Sequence, residues 1–338
     1  MKSLKLATPF GGTFLRAFLY LILFCAALEG FARTPVASSL FPRESYGTSH
    51  PHFEVQLRRL RDRVAAGETV DCIFIGNSQV LFGLQPAVVE QAYREQSGRS
   101  LHCQNFGLGG LTPRTAGPLA RVLIKNFNPA LIVFETGVLD YSTSNMEGTD
   151  ASIMSSPWMQ YQLGTFSVDG WLYEHSHAFR LVFGIDRAIN AIEEEHTDIA
   201  ADGHAVLFGQ SETPLEDQLK RFEASLDVLE ITDRHVAGLK NLLALHSNQV
   251  QIVLIETPTH PAFYATKRKV RNLYPDFENM LAFQAAQAGV PLWLTRETLE
   301  FPQENWHDLA HLNDEGSTLF SREFGRFLAA VYPSPNSP

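Results

Sequence analysis

The strongest constraint on the fold is a series of short, largely apolar runs separated by helical segments. Ala130–Glu135 (ALIVFE) is the most apolar of them, Val70–Ile75, Gln249–Ile255 and Val290–Leu294 are the others, and Leu101–Phe106 (LHCQNF), half polar, takes the second strand's place in the alternation. A short apolar run without polar alternation has no solvent face, so it reads as a strand buried on both sides. The intervening segments carry helical signals. Val55, Leu57, Leu60 and Val64 mark a helical face, and Pro86–Gln96 opens with proline at its first position. Arg114–Phe127, Asp276–Ala288 and Ser317–Val331 follow later strands. Such alternation predicts an α/β fold: a three-layer sandwich with helices on both faces of a mostly parallel five-stranded sheet.

One interval breaks the rhythm. Residues 137–248 separate the third and fourth strands, far more than a crossover needs. A structureless loop of that length is rare in a folded domain, so the interval predicts a mostly helical insertion containing Phe179–Ile192 and Thr232–Leu245. It leaves from the carboxyl edge of the sheet, where ligands bind in open α/β sheets, and can wall or cover a site there.

The chemistry gathers at that edge. The first strand runs into Gly76-Asn77-Ser78-Gln79, which places a serine on a tight turn with its hydroxyl exposed; taken alone, the same residues also make an ordinary helix-capping turn. The second strand ends in Asn105-Phe106-Gly107-Leu108-Gly109-Gly110, where glycines let backbone N–H groups approach a ligand. No GxGxxG occurs there, so a nucleotide site has little support. Before the last helix stands Trp306-His307-Asp308-Leu309-Ala310-His311. An Asp three residues ahead of a His can orient and charge-stabilise the imidazole, while no second cluster supplies matching metal ligands.

These motifs, in this order, resemble the SGNH (GDSL-like) hydrolase superfamily over roughly residues 70–140 and 250–331. The resemblance implies a flavodoxin-like sandwich and acyl transfer through a Ser-His-Asp triad, without a cofactor or metal. Gly76-Asn77-Ser78 is similar to the first block, with Asn77 where Asp is usual, and Ser78 becomes the implied nucleophile. Asp308 and His311 match the DxxH block as orienting acid and general base. Gly110 and Ser78 supply the implied oxyanion-hole N–H groups. Gly137-Val138-Leu139-Asp140 departs from the pattern, because Leu139 replaces the oxyanion-hole asparagine. Loss of one such donor typically costs about 2.7–4 kcal/mol of transition-state stabilisation. Asn77, Asn105, His260 and Trp306 are candidate substrate-binding residues. The missing asparagine, the N-terminus and Glu256-Thr257-Pro258-Thr259-His260-Pro261 narrow the likeness to a membrane-anchored branch that includes periplasmic alginate O-acetylation proteins and the teichoic acid D-alanyl transfer protein. That likeness implies an exported serine esterase or O-acyltransferase with a carbohydrate or acyl-ester substrate and a multi-pass membrane acyltransferase partner; a general carboxylesterase or lipolytic hydrolase, and a non-catalytic subunit of a polysaccharide-modification complex, are the alternatives.

Charge is unevenly spread. The chain of 338 residues has a formal net charge of −10, yet its start carries Lys2, Lys5, Arg16 and Arg33 against Glu29 alone. Ala17–Leu28 is apolar throughout and extends to Phe14–Phe31 with Arg16 and Glu29 near the ends, where they can snorkel. An uncleaved anchor is the preferred reading, with the N-terminus in the cytoplasm by the positive-inside rule and the acidic bulk exported. A signal peptide cleaved near Val36–Ser38 is the alternative; a lipoprotein fits less well, since bulky Phe24 precedes Cys25. The acidity argues against a nucleic-acid partner. The expected organisation is therefore an anchor over residues 1–33, a linker and first helix over 34–69, a catalytic domain over 70–331 and a disordered tail over 332–338.

Other residues keep two readings. Trp158, Tyr161, Trp171 and Tyr173 either stack on sugar rings or pack the insertion. His175 and His177 read as solvated loop histidines rather than metal ligands. Cys72 and Cys103, expected on neighbouring strands, read as buried thiols more readily than as a disulfide.

Overall fold

The five runs form one all-parallel sheet in the order β2-β1-β3-β4-β5, the flavodoxin-like arrangement. The structure, a computed structural model, describes residues 10–40, 44–141, 147–189, 198–227, 230–266 and 268–332. The strands are β1 (Cys72–Gly76), β2 (Cys103–Gly107), β3 (Leu131–Thr136), β4 (Gln251–Glu256) and β5 (Leu292–Trp293). The first four start one or two residues later than expected and end one residue later. Val70 and Leu101 are buried but outside the ladder, whereas Gly76, Gly107, Thr136 and Glu256 belong to it. Hydropathy marks burial; ladder hydrogen bonds belong to the backbone and ignore side-chain polarity.

The chain forms two compact units. The larger takes Ser49–Ser155 and Glu194–Pro338 and contains the sheet. On one face Phe74, Val133 and Ile255 pack with Val89 and Tyr93 of the helix Pro86–Ser97 and with Phe320 and Phe324 of the helix Asp314–Val331. Each such aromatic or branched side chain stabilises the fold by roughly 1.5–3 kcal/mol relative to an exposed one. The helix Pro113–Phe127 rests against β1 and β3 and buries Leu119 and Leu123 outside that cluster, which gives the second helical layer. It crosses Asp233–Leu243 so closely that a Cβ at Gly238 would lie 2.5 Å from the Pro113 carbonyl oxygen. Arg268–Ala288 begins earlier than Asp276 and carries Pro275 inside it. Cys72 and Cys103 are register partners across β1 and β2, and both are free buried thiols. Tyr332 is buried and its carbonyl accepts the Tyr93 hydroxyl at 3.0 Å; the expected tail beyond it, residues 333–338, lies outside the described residues.

The smaller unit takes Met1–Thr48 and Ser156–Glu193. Its helix Phe10–Ala32 exposes Phe14, Leu19, Leu23 and Phe24 and is long and apolar enough over Gly12–Ala32 to cross a membrane. Glu29, near its end, accepts from the Ser176 hydroxyl at 2.8 Å and from the His177 and Ala178 N–H groups at 3.0 and 3.1 Å. It thereby caps the helix His177–Ile189, whose expected extension to Ile192 lies outside the described residues. Trp158 and Tyr173 are core residues of this unit, Trp171 is exposed, and Tyr161 hydrogen-bonds His175. His177 and buried Arg180 both engage Glu44.

Candidate active site

β1 delivers a serine to the sheet edge through a turn that only glycine fits. A Cβ at Gly76 would come 2.2 Å from Val80 Cγ2 and 2.8 Å from the Glu135 carbonyl oxygen. Asn77 then caps the short helix Ser78–Gly83, its Oδ1 accepting the Gln79 N–H at 2.6 Å. Ser78 is thus the first helical residue, partly exposed, with its N–H among those a helix leaves unpaired.

The partner histidine comes from a tight loop before Asp314–Val331. Trp306 and Leu312 form an isolated antiparallel bridge, and the His307 N–H donates to the His311 carbonyl at 2.9 Å. Inside this loop one oxygen of Asp308 accepts the Ala310 and His311 N–H groups at 2.7 and 2.8 Å. Both carboxylate oxygens lie 3.0 Å from His311 Nδ1. Burial alone would raise the Asp308 carboxyl, but these bonds and the adjoining imidazole outweigh it and hold the group below its ordinary value. With Nδ1–H turned to Asp308, Nε2 is left to accept the Ser78 hydroxyl, 2.9 Å away. Phe82 meets the His311 ring edge to face at 5.4 Å.

Gln79, which sequence reasoning passed over, donates through Nε2 to the Ala310 carbonyl at 2.8 Å and so joins the serine turn to the Asp308–His311 loop. The only sequence signal for it is its place directly after Ser78. His50 and His52 were likewise passed over. His50 Nε2 donates to the Gly109 carbonyl at 3.0 Å, and His52 Nδ1 accepts the Gly109 N–H at 3.2 Å. Gly110 has φ +76, a backbone conformation that favours glycine.

The remaining candidates divide between bracing and lining. Asn77 is buried and its amide donates to Asp140 at 2.6 Å. Asp140 also accepts from the Gly137 N–H and the Thr136 hydroxyl, yet burial prevails and raises it to about 6. Asn105 is fully buried, donating to the Val80 and Leu84 carbonyls and accepting the Gly107 N–H. Asn77 and Asn105 therefore spend their amides within the protein. His260 and Trp306 are buried against each other, ring centroids 5.0 Å apart, and border an open polar cleft with Gln210, Ser211, His307 and Asp308. Burial lowers the His260 imidazole against the pull of Asp308. Leu139 lies in an adjoining, mostly apolar cleft with Thr257, Phe263, Leu309 and Ala310. Glu135, on β3, is buried beside Thr257, and burial raises its carboxyl to about 8.

No family model matches the chain, and no curated protein matches its sequence. Solved structures do show similarity. Est24, a carbohydrate acetylesterase from Sinorhizobium meliloti, is 11% identical over 78% of this chain and 100% of its own, with a TM-score of 0.40. The lipase/acylhydrolase from Enterococcus faecalis is 13% identical over 80% of this chain and 100% of its own, TM-score 0.39. Axe2, an acetylxylan esterase from Geobacillus stearothermophilus, is 14% identical over 77% and 93%, TM-score 0.38.

Proposed function

We propose that the chain is a membrane-anchored, exported serine esterase or O-acyltransferase of the SGNH type, acting on acyl groups of a cell-surface or exported polysaccharide. The observation that carries this reading is the relay from Ser78 Oγ to His311 Nε2 at 2.9 Å and from His311 Nδ1 to Asp308 at 3.0 Å. Ser78 attacks the ester carbonyl while its proton passes to His311 Nε2, and Asp308 stabilises the resulting imidazolium. His311 returns that proton to the departing alkoxide, leaving an acyl group on Ser78. A second oxygen nucleophile, water or a sugar hydroxyl, then gives its proton to His311 and takes the acyl group, and Ser78 recovers its proton. The cleft bordered by Gln210, Ser211 and His307 offers amide and hydroxyl groups suited to a hydroxylated acceptor. The apolar helix Phe10–Ala32 supports anchoring, and a multi-pass acyltransferase is the proposed acyl source.

The test uses the full chain in detergent with p-nitrophenyl acetate and a fluorophosphonate probe, beside Ser78→Ala. Labelling and acetyl release confined to the Ser78 protein are expected. Equal labelling of both proteins, or of neither, removes the nucleophile. With an oligosaccharide present, acetyl recovered on sugar rather than as acetate separates transferase from esterase.

A further inference from the structure

The proposed site has a deficit. By the resemblance stated above, Leu139 takes the place of an oxyanion-hole asparagine, and the cleft it lines is mostly apolar. In the strand order β2 and β3 flank β1 on opposite sides, and a hydroxyl donor lies beside the loop that follows β2. The helix Glu147–Met154 brings Thr149 against Gly110, such that a Cβ at Gly110 would come 2.8 Å from the Thr149 hydroxyl oxygen. The next residue fixes that contact: buried Asp150 accepts the Thr112 hydroxyl at 2.6 Å and the Thr112 N–H at 3.4 Å. Thr112 follows Gly110 by two residues, so the Asp150 carboxylate binds the donor's helix to the glycine's own loop. Among the described residues neither the Thr149 hydroxyl nor the Gly110 N–H has a hydrogen-bond partner. Thr149 is only partly buried.

We infer that Thr149 is a catalytic residue: its hydroxyl joins the Gly110 and Ser78 N–H groups as the third donor to the oxyanion, replacing the side chain lost at Leu139. A hydroxyl rotor can donate to a developing negative charge with little reorganisation. As the carbonyl oxygen of the bound ester gains charge on attack by Ser78, the Thr149 O–H turns towards it; no proton leaves Thr149, and the charge is released when the tetrahedral species collapses. The inference rests on the proposed acyl chemistry at Ser78.

Its test compares Thr149→Val and Thr149→Ser with the parent chain, in detergent, by p-nitrophenyl acetate kinetics and fluorophosphonate labelling. Thr149→Val should lower kcat roughly 100-fold with little change in KM, and Thr149→Ser should recover most of it. A Thr149→Val protein that keeps the parent kcat while Ser78 still labels overturns the role of Thr149 and leaves the nucleophile standing. A parent chain that neither labels nor turns over removes the underlying reading, and this one with it. Melting curves check folding, and Thr149→Ala replaces Thr149→Val if the latter is unfolded.

Discussion

The Nε2 of His50 donates to the carbonyl oxygen of Gly109 across 3.0 Å, and that carbonyl shares one peptide group with the Gly110 N–H. His50 Nδ1 accepts the Phe53 N–H at 3.1 Å, which leaves Nε2 as the protonated nitrogen. The imidazole therefore fixes the plane of a peptide whose far side carries a proposed oxyanion donor. His50→Ala should lower kcat by up to about tenfold, the worth of one hydrogen bond, with KM nearly unchanged. An unchanged kcat would leave His50 only its role as cap of the helix Pro51–Ala65, read from the melting temperature.

Asn77 and Asp140 form a buried pair of one neutral amide and one carboxyl. Asn77→Asp would bring a second carboxyl to within hydrogen-bond reach of the first, where the amide now donates at 2.6 Å. Two such carboxyls share one proton readily and cannot both ionise without strong repulsion. The variant should melt near the parent at pH 5 and well below it at pH 8. Equal losses at both pH values would show that repulsion is not the cause.

The sheet was legible because parallel strands buried on both faces leave an unmistakable apolar record, as in Ala130–Glu135. The hydrogen-bonded series Ser78–His311–Asp308 was legible because Ser78 follows a strand and glycine, and because Asp308 and His311 lie three residues apart. Neither Gln79 nor His50 carries such a mark. Gln79 reaches a backbone carbonyl more than two hundred residues away, and His50 acts on Gly109 through a backbone oxygen. Contacts to main-chain atoms place no demand on the partner's identity, so no pairing rule exposes them. Asn77 and Asn105 carry no sign in the sequence of the internal hydrogen bonds they make, because polar residues at a strand end suit ligand binding and internal bracing equally well.

The link from Gln79 to the Ala310 carbonyl holds the loop that carries Asp308 and His311. Gln79→Ala should lower kcat about five- to tenfold, in line with one hydrogen bond, while leaving fluorophosphonate labelling of Ser78 complete though slower. Gln79→Glu cannot donate to that carbonyl when ionised and should behave like the alanine variant at pH 8. Wild-type rates in both variants would dismiss the link as incidental.

Burial holds the Glu135 carboxyl protonated up to about pH 8, against an unfolded value of 4.5. The folded state thus binds the proton more tightly, and stability is lost as pH rises from about 4.5 to 8. Glu135→Gln should remove that slope and be more stable than the parent at pH 8, by an amount on the order of a few kcal/mol. Urea unfolding of both proteins at pH 5 and pH 8 measures it; parallel losses in the two would show that Glu135 does not titrate in this range.

Glu29 belongs to two structures at once: the last turns of a helix apolar enough to cross a bilayer, and the capped start of His177–Ile189. In the membrane-anchored form proposed above, no slack chain lies between lipid and folded protein at that point. A tilt imposed on Phe10–Ala32 by bilayer thickness is transmitted to His177–Ile189 instead of being absorbed by a linker. A soluble version trimmed at residue 34 would lose more than its anchor, because the bare N–H groups of residues 177 and 178 would have to find water in place of a carboxylate.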